Sequence, residues 1–349
     1  MIEIKEIKYF FDYVDDMKRN LKFYDVHVHP FDVLYDDHIY KKIDDNGLYC
    51  SNNLEYKKQE YYPVKIEQET DELSNGKTGK IFEKMIIMKV NKIYSHAGPK
   101  VLDDVMKMSR IDNVFLLPVA GYIDTNNNRI ENIKGIFGFN EKYVIGYSIE
   151  NKLSNDYIEK DIRNNILLHD IKVIKIHPNI TGINIGRQDG IERIEKILIA
   201  ANMHKMIVVI HGGKSNINKY LNMSEYSVMK NLRKINWNLT RYPIIISHAG
   251  IYGYNKQDDC NENMALVEDL MEKNDNIYVD IAGLGIKMLK ELFARLNNEK
   301  VLFGSDSFYY EQWREVLKLF YILKEKHHNY ESCFVRVMNN NPSKLLSCY

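Results

Sequence analysis

Eight short apolar runs, spaced along most of the chain, constrain the fold more than any other feature of the sequence. Each run is rich in β-branched residues and ends at glycine, proline or a polar residue, which is typical of buried parallel strands. Amphipathic segments of helical period, such as IERIEKILIAANMH, lie between most of them. The predicted strands are residues 22–30, 113–121, 143–150, 171–178, 206–213, 242–250, 276–283 and 300–306.

The alternation of strands and helices predicts an α/β fold with a parallel sheet. Eight such units in one chain favour a (β/α)8 barrel, the TIM barrel, over an open doubly wound sheet. No predicted strand is followed by a GxGxxG or GxxxxGKS motif, which are the main sequence signals of a nucleotide-binding open sheet. The sequence therefore disfavours that fold. We therefore predict a single barrel domain over residues 1–349.

Two segments fall outside the eight units. Residues 1–20 carry a helical pattern, and we expect an N-terminal helix that packs on the outside or the bottom of the barrel. The polar stretch at about 31–95 is too long for a structureless loop in a compact domain. We expect a lid-like insertion after the first strand, on the face where barrel active sites lie. The sequence leaves open whether its tyrosines line a pocket or form a small core of the insertion itself.

The balance of charges excludes several classes of protein. The 48 Lys and Arg residues match 48 Asp and Glu residues without long runs of one sign, so a non-specific binder of nucleic acid or of an anionic membrane is not expected. No apolar run could span a bilayer, and the N-terminus lacks a signal-peptide pattern. The four cysteines lack CxxC spacing, which favours reduced thiols. We expect a cytoplasmic protein that acts on a small molecule, with homo-oligomerisation left open.

Reactive side chains recur at the ends of the predicted strands, where the mouth of a barrel lies. Five of the eleven histidines fall there. Residues i and i+2 of a strand share a face, so the two histidines of DVHVHP are expected to converge. Three or four histidines with one carboxylate suit a zinc-type site that keeps one position open for water. The strand-end residues are His27, His29, Lys175, His177, His211, His248 and Asp306.

The motifs DVHVHP, IKIHP, VIHGG, ISHAG and FGSD, in this order, resemble the amidohydrolase superfamily. Within it they are most similar to the amidohydrolase-2-related branch of TIM-barrel metal-dependent hydrolases and decarboxylases. The closing NNNPSKLL is also similar to the asparagine-led helix that ends those barrels, so the resemblance covers residues 24–346 apart from the insertion. An HxH motif also opens phosphoesterases of the polymerase and histidinol-phosphatase type, but the other motifs fit the amidohydrolases better.

The resemblance implies a role for each of these strand-end residues. It implies a divalent metal ion, with zinc favoured, that is held by His27, His29, His211 and Asp306. Asp306 would also take a proton from the metal-bound water. His248 would act as the general base or polarise the substrate carbonyl, and in some members of the family it is a ligand.

The resemblance leaves the number of metal ions open. In binuclear members a carbamylated lysine on the fourth strand bridges two metals, and Lys175 occupies the corresponding position. The amidohydrolase-2-related branch usually uses one metal, so we favour one ion, with His177 as a substrate-facing or supporting group. Asp25 is expected to point inward as a supporting or structural acid, and Asp280 to be a hydrogen-bonding residue at its strand end.

The expected function is that of a metal-dependent hydrolase acting on an amide, cyclic amide, ester or lactone bond of a small molecule. The alternative is a non-oxidative decarboxylase similar to aminocarboxymuconate-semialdehyde decarboxylase, which would need an arginine clamp. Arg187 and Lys214 could bind an anionic substrate, although solvated charge is the commoner role, and Arg129 is the other candidate for a clamp. A non-catalytic barrel that binds a partner is a further alternative, but no ligand position looks lost.

Overall fold

All eight predicted strands are present and parallel in the computed structural model, and they are hydrogen-bonded in sequential order from β1 to β8. The model describes residues 1–30, 59–66, 88, 98–121, 130–138, 140–215, 222–254 and 257–347. Each strand begins within its predicted apolar run, and β6 extends two residues beyond it. The strands are β1 Tyr24–Val28, β2 Asn113–Leu116, β3 Tyr143–Tyr147, β4 Val173–Ile176, β5 Ile207–Gly213, β6 Ile244–Tyr252, β7 Ile277–Asp280 and β8 Val301–Leu302.

Backbone hydrogen bonds bring the two edge strands of the sheet together. The amide of Val26 donates to the carbonyl of Phe303 at 2.9 Å, and the amide of Asp306 donates to the carbonyl of His27 at 2.9 Å. These bonds join β1 to the chain that follows β8, so the sheet curls into the predicted barrel. They also place two of the predicted site residues, His27 and Asp306, on adjacent segments.

Helices surround the barrel, as the alternating pattern predicts. Within the described residues they are α1 Ile4–Lys18, α2 Pro99–Ser109, α3 Ile130–Phe137, α4 Ile158–His169, α5 Pro178–Thr181, α6 Gln188–Met203, α7 Met229–Leu232, α8 Gln257–Lys273, α9 Ile286–Arg295, α10 Gln312–Lys326, α11 Tyr330–Val335 and α12 Asn341–Leu346. None of these helices is both long and apolar enough to cross a membrane.

Two apolar layers hold the barrel. One lies between the strands and the helices and contains most of the buried aliphatic and aromatic side chains. The other fills the barrel interior with side chains of all eight strands, including Val26, Val173 and Val209, and with Leu345 of α12. The side-chain amide of Asn341, at the start of α12, donates to the carbonyls of Asn298 and Val301 at 2.7 Å each. The closing helix is therefore tied to the start of β8 while its leucine fills the interior.

The N-terminal helix packs on the outside of the barrel, which confirms one of the two predicted positions. Its buried side chains include Phe10 and Phe11. The ring of Phe10 lies 4.9 Å from that of Phe320 in α10, measured between centroids. This contact places α1 against the outer helices.

Only a short part of the predicted insertion, residues 59–66 with Met88, falls within the described residues. Val64 pairs with Ile2 in an antiparallel bridge. Tyr61 stacks on Phe11 of α1 at a centroid distance of 5.2 Å. Residues 59–66 therefore pack on the outer helices, whereas the predicted lid over the barrel mouth concerns residues outside the described part of the chain and stays a prediction.

Candidate metal centre

The two histidines of DVHVHP converge as their spacing predicts. Their Nε2 atoms lie 3.2 Å apart. One oxygen of Asp306, Oδ1, lies 3.4 Å from Nε2 of His29 and 3.8 Å from Nε2 of His27. All three side chains are buried, and their three atoms are close enough together to hold one metal ion. His27, His29 and Asp306 therefore form the centre of the candidate site, which we call the HHD group.

Hydrogen bonds on the far side of each imidazole fix which nitrogen carries the proton. Nδ1 of His29 lies 2.7 Å from the carbonyl of Leu117, which can only accept, so Nδ1 is the donor and Nε2 presents a lone pair. Nδ1 of His27 lies 3.0 Å from Oδ2 of Asp280, a carboxylate oxygen, with the same consequence. Burial lowers the pKa of both imidazoles well below 6.5, which keeps them neutral. Neutral rings with an unprotonated Nε2 and an orienting partner at Nδ1 are what metal coordination requires.

His248 lies next to the HHD group in the same tautomer. Its Nδ1 donates to the carbonyl of Ala282 at 2.7 Å, and its ring centroid lies 4.9 Å from that of His27. Burial lowers the pKa of His248 to about 4, although the charge of Asp280 acts in the opposite direction. The imidazole is thus neutral, with Nδ1 protonated and Nε2 unprotonated. The predicted roles of His248, as general base, as the group that polarises the substrate carbonyl or as a ligand, stay predictions.

Asp280 supports both histidines at once. While Oδ2 faces Nδ1 of His27, Oδ1 accepts hydrogen bonds from the backbone amides of His248, at 2.9 Å, and Ala282, at 3.1 Å. The prediction of a strand-end hydrogen-bonding residue is therefore confirmed. Backbone strain marks the neighbouring positions, since His248 and Asp306 have φ angles of 56° and 59°, in the left-handed region that non-glycine residues rarely adopt.

His211 and His177 form a separate pair beside this group. Their rings stack at a centroid distance of 3.9 Å and an interplanar angle of 10°, and the His211 ring lies 4.8 Å from that of His248. His211 is not part of the HHD group, so its predicted role as a ligand stays a prediction.

Several polar atoms around the HHD group are buried without a hydrogen-bond partner. They are both ring nitrogens of His211, Nδ1 of His177 and Oδ1 of Asp306. A buried polar atom without a partner costs free energy. These atoms belong to two imidazoles and one carboxylate, which are ligand types that zinc binds, and the carboxylate oxygen is the one that faces both Nε2 atoms of the HHD group. The residues present therefore fit a divalent metal ion.

Lys175 points into the barrel, as predicted. It is only 1% exposed, and its Nζ lies 3.2 Å from both Nε2 of His27 and Oγ of Ser247. Burial lowers the pKa of Lys175 to about 8, while Asp280 and Asp306 raise it. Burial also raises the pKa of the Asp306 carboxyl to about 7, with Lys175 acting in the opposite direction. In the metal-free protein, Lys175 and Asp306 thus affect each other's protonation.

The carboxylate of Asp25 is directed to the outer helix and not inward as predicted, but its structural role is one of the two that the sequence left open. Its carboxylate accepts hydrogen bonds from the Ser305 amide at 3.0 Å and from Nε2 of Gln312 at 2.7 Å. Gln312 begins α10, so Asp25 ties β1 to the connection between β8 and the outer helix. The register of β1 shifts between Asp25 and Val28, which interrupts the two-residue alternation on which the prediction rested. Burial raises the pKa of this carboxyl to about 6.

The two candidate anion-binding residues pair with surface carboxylates. Arg187 is 71% exposed, and its Nε lies 3.2 Å from Oδ1 of Asp189. Lys214 has its Nζ 3.4 Å from Oε1 of Glu225 and lies over the ring of Tyr254. Neither of these contacts involves the HHD group. Arg129 lies outside the described residues.

The glycines after His211 are explained by a close approach between β5 and β6. A Cβ at Gly212 would lie 2.7 Å from Cα of Gly250, and a Cβ at Gly213 would lie 2.5 Å from the carbonyl oxygen of Tyr252. Gly213 also has a φ of 112°, which disfavours any other residue. The VIHGG and ISHAG motifs therefore allow the two strand ends that carry His211 and His248 to pack against each other.

The sequence analysis did not single out three tyrosines that lie at the site. Tyr252 has its ring centroid 4.7 Å from that of His248, and Tyr309 lies 6.0 Å from His29. Tyr310 follows next in the chain. Their place shortly after ISHAG and FGSD, at the end of strands six and eight, is the signal that could have identified them.

Comparison with known proteins supports the fold. No family model and no curated protein matches the chain. A solved amidohydrolase from Burkholderia multivorans with bound zinc is 7% identical over 76% of this chain and 93% of that one, with a TM-score of 0.55. A probable 2-pyrone-4,6-dicarboxylic acid hydrolase from Acinetobacter baumannii is 14% identical over 94% of this chain and 100% of that one, with a TM-score of 0.51.

The fold is that of a TIM barrel. The predicted (β/α)8 barrel is thereby confirmed, and it is shared with enzymes of the kind that the strand-end motifs resemble. A 5-carboxyvanillate decarboxylase from Sphingomonas paucimobilis is also similar, with 11% identity over 74% of this chain and 85% of that one and a TM-score of 0.51. Hydrolases and decarboxylases share this architecture, so the fold does not distinguish between the two reactions.

Proposed function

We propose that this protein is a metal-dependent hydrolase that cleaves an amide, cyclic amide, ester or lactone bond of a small molecule. The observation that carries the proposal is the convergence of two neutral Nε2 atoms and one carboxylate oxygen without a hydrogen-bond partner in the HHD group. His27, His29 and Asp306 would hold the ion, with His211 as the fourth ligand. When bound, a divalent metal such as zinc lowers the pKa of water and polarises a carbonyl oxygen.

The protein's own residues supply the proton transfers. Asp306 lies beside both candidate histidine ligands, so its carboxylate can take the proton that an attacking water releases and can later deliver it to the leaving group. His248, neutral and with its Nε2 free, can accept a second hydrogen bond or proton on the same side of the barrel. Asp280 keeps His27 and His248 in these tautomers. We favour one ion, because the other group of possible ligand atoms, His27, His248 and Asp280, shares His27 with the HHD group, and its carboxylate already accepts three hydrogen bonds.

Decarboxylation is the second candidate, supported by the similar fold of the carboxyvanillate decarboxylase. It would require a cation that binds the substrate carboxylate. The described candidate, Arg187, is exposed and paired with Asp189, so it offers no such clamp. Hydrolysis is therefore the better supported reaction for the residues that the structure describes.

Metal content tests the proposal directly. We expect about one zinc ion per chain in metal-replete wild-type protein and a loss of most of it in His27→Ala and Asp306→Ala, whereas His328→Ala, an exposed histidine outside the barrel, should retain the metal. Elemental analysis after gel filtration measures this. A wild-type protein that binds no divalent metal would rule out the mechanism.

The reaction class requires a second measurement. For any small molecule that the loaded enzyme converts, hydrolysis in ¹⁸O-labelled water should place the label in the product acid without release of CO2. Release of CO2 without incorporation of the label would instead establish the decarboxylase.

A further inference from the structure

Tyr252 and Tyr310 meet directly beside the carboxylate of the HHD group. Gly283, which has a φ of 62°, lies between them. A Cβ on Gly283 would be 3.1 Å from Cε2 of Tyr310, 3.4 Å from Cε2 of Tyr252 and 3.5 Å from Oδ2 of Asp306. All three side chains therefore surround one point. The oxygen of Asp306 that faces the tyrosines is Oδ2, and the other one faces the histidines.

The position of Tyr252 is fixed on several sides. It ends β6, where its carbonyl accepts a hydrogen bond from the amide of Lys214 at 2.8 Å. Its ring lies 4.7 Å from His248 and 5.9 Å from His211, measured between centroids. The phenol ring is thus held against two imidazoles of the site, and its hydroxyl lies at a defined place relative to them.

The two phenol groups are hydrogen-bonded to each other. Each hydroxyl therefore fixes the position of the other. Burial raises the pKa of Tyr252 to about 12, so this hydroxyl is protonated at neutral pH. When Tyr310 donates within the pair, the O–H of Tyr252 remains to donate a hydrogen bond to another group.

Exposure distinguishes the tyrosine pair from the reactive groups beside it. Tyr252 and Tyr310 are partly exposed, whereas Asp306 and His248 are buried. The tyrosines therefore offer surface to a bound molecule next to Oδ2 of Asp306, the oxygen that does not face the HHD histidines.

We propose that Tyr252 is a substrate-binding residue whose hydroxyl, oriented by Tyr310, donates a hydrogen bond to an oxygen atom of the substrate next to Asp306. The role rests on the proposed function, since the substrate oxygen is one that also lies near the metal ion. A neutral donor suits the carbonyl oxygen of an amide, ester or lactone, because it stabilises partial negative charge without neutralising Asp306.

Acetohydroxamate is a suitable probe because its two oxygens chelate zinc and accept hydrogen bonds. Its dissociation constant would be measured by calorimetry with zinc-loaded wild type and three Tyr-to-Phe variants. We expect Tyr252→Phe to weaken binding about tenfold, as for the loss of one hydrogen bond to a charged acceptor. Tyr310→Phe should weaken it a few-fold, because Tyr252 loses its orienting partner. Tyr9→Phe, at an exposed tyrosine of α1 on the outside of the barrel, is the control and should change binding less than about twofold.

The double variant Tyr252→Phe/Tyr310→Phe separates this role from a merely structural one. If Tyr310 acts only through the hydroxyl of Tyr252, the double variant binds acetohydroxamate no more weakly than Tyr252→Phe alone. Independent, additive losses would overturn the proposed orientation. Zinc content must equal that of the wild type in every variant, which also shows that each one folds.

The outcomes distinguish this inference from the function on which it rests. Zinc-loaded Tyr252→Phe that binds acetohydroxamate as tightly as the wild type overturns the role of Tyr252 and leaves the metal centre intact. A wild-type protein that binds no zinc overturns the proposed function, and the role of Tyr252 with it.

Discussion

Nδ1 of His27 lies 3.0 Å from Oδ2 of Asp280, and neither side chain has any exposed surface. The two residues are 253 positions apart in the chain, on β1 and β7. Because the carboxylate accepts a hydrogen bond from Nδ1–H, the unprotonated Nε2 of His27 is the atom that faces His29 and Asp306. The tautomer of the candidate ligand is therefore set by a residue that would not itself touch the metal.

The first prediction follows from this pair. Asp280→Ala should weaken zinc binding by about 10- to 100-fold, because His27 loses the partner that fixes its tautomer and ring orientation. Competition with a chromophoric chelator measures the affinity. Asp189→Asn, an exposed carboxylate paired with Arg187, is the control and should bind zinc as the wild type does. Equal affinities of Asp280→Ala and the wild type would mean that His27 is not a ligand.

The stacked pair of histidines provides the second prediction. His211 has two buried ring nitrogens without a partner, and we expect it to be a ligand, so His211→Ala should lower zinc affinity about as much as His29→Ala does. His177→Ala is the matched comparison, because the two rings are in contact, and it should have a clearly smaller effect. The reverse order of the two effects would assign the fourth ligand to His177 instead.

The fold could be predicted because it depends on local patterns. Eight β-branched runs alternate with amphipathic helices, and the buried parallel strands of a barrel produce that pattern directly. The convergence of His27 and His29 followed from the two-residue period of a strand. The side chain of Asp25 does not follow this two-residue period. The reason is the register shift in β1, which depends on pairing with β2 and leaves no signal in the sequence itself.

The tyrosines were missed for a related reason. Tyr252 reaches His248 because β6 extends to Tyr252 and packs closely on β5. That approach depends on the space left by Gly212 and Gly213, which belong to a different strand. Pairings between distant segments are not visible in one sequence without homologues, whereas the motifs at the strand ends are.

The third prediction concerns the pH dependence of stability in the metal-free protein. Burial lowers the pKa of five site histidines, so the folded protein keeps them neutral while the unfolded chain binds protons below about pH 6.5. Their contribution to stability is thus present above that pH and is lost as the pH falls. The histidines are His27, His29, His177, His211 and His248.

Two aspartates act in the opposite direction. The pKa values of Asp25 and Asp306 are raised to about 6 and about 7, so their contribution to stability falls as the pH rises from about 4 through these values. Since the histidines outnumber them, urea unfolding should show lower stability at about pH 5.5 than at about pH 7.5. His177→Gln should reduce this difference by about 1 kcal/mol. A difference unchanged by the substitution would show that His177 is protonated equally in the folded and unfolded states.

The fourth prediction tests the close approach of β5 and β6. In Gly212→Ala the new Cβ would lie 2.7 Å from both Cα of Gly250 and Cγ2 of Ile246, and one of these atoms is backbone that cannot move away cheaply. We expect the free energy of unfolding to fall by about 1–3 kcal/mol. Gly135→Ala, at an exposed helical position with no atom within 4 Å of the new Cβ, should instead raise it by about 0.5–1 kcal/mol. Urea denaturation of both variants provides the comparison. If Gly212→Ala were as stable as the wild type, the two strand ends that carry His211 and His248 would have to be farther apart than the structure places them.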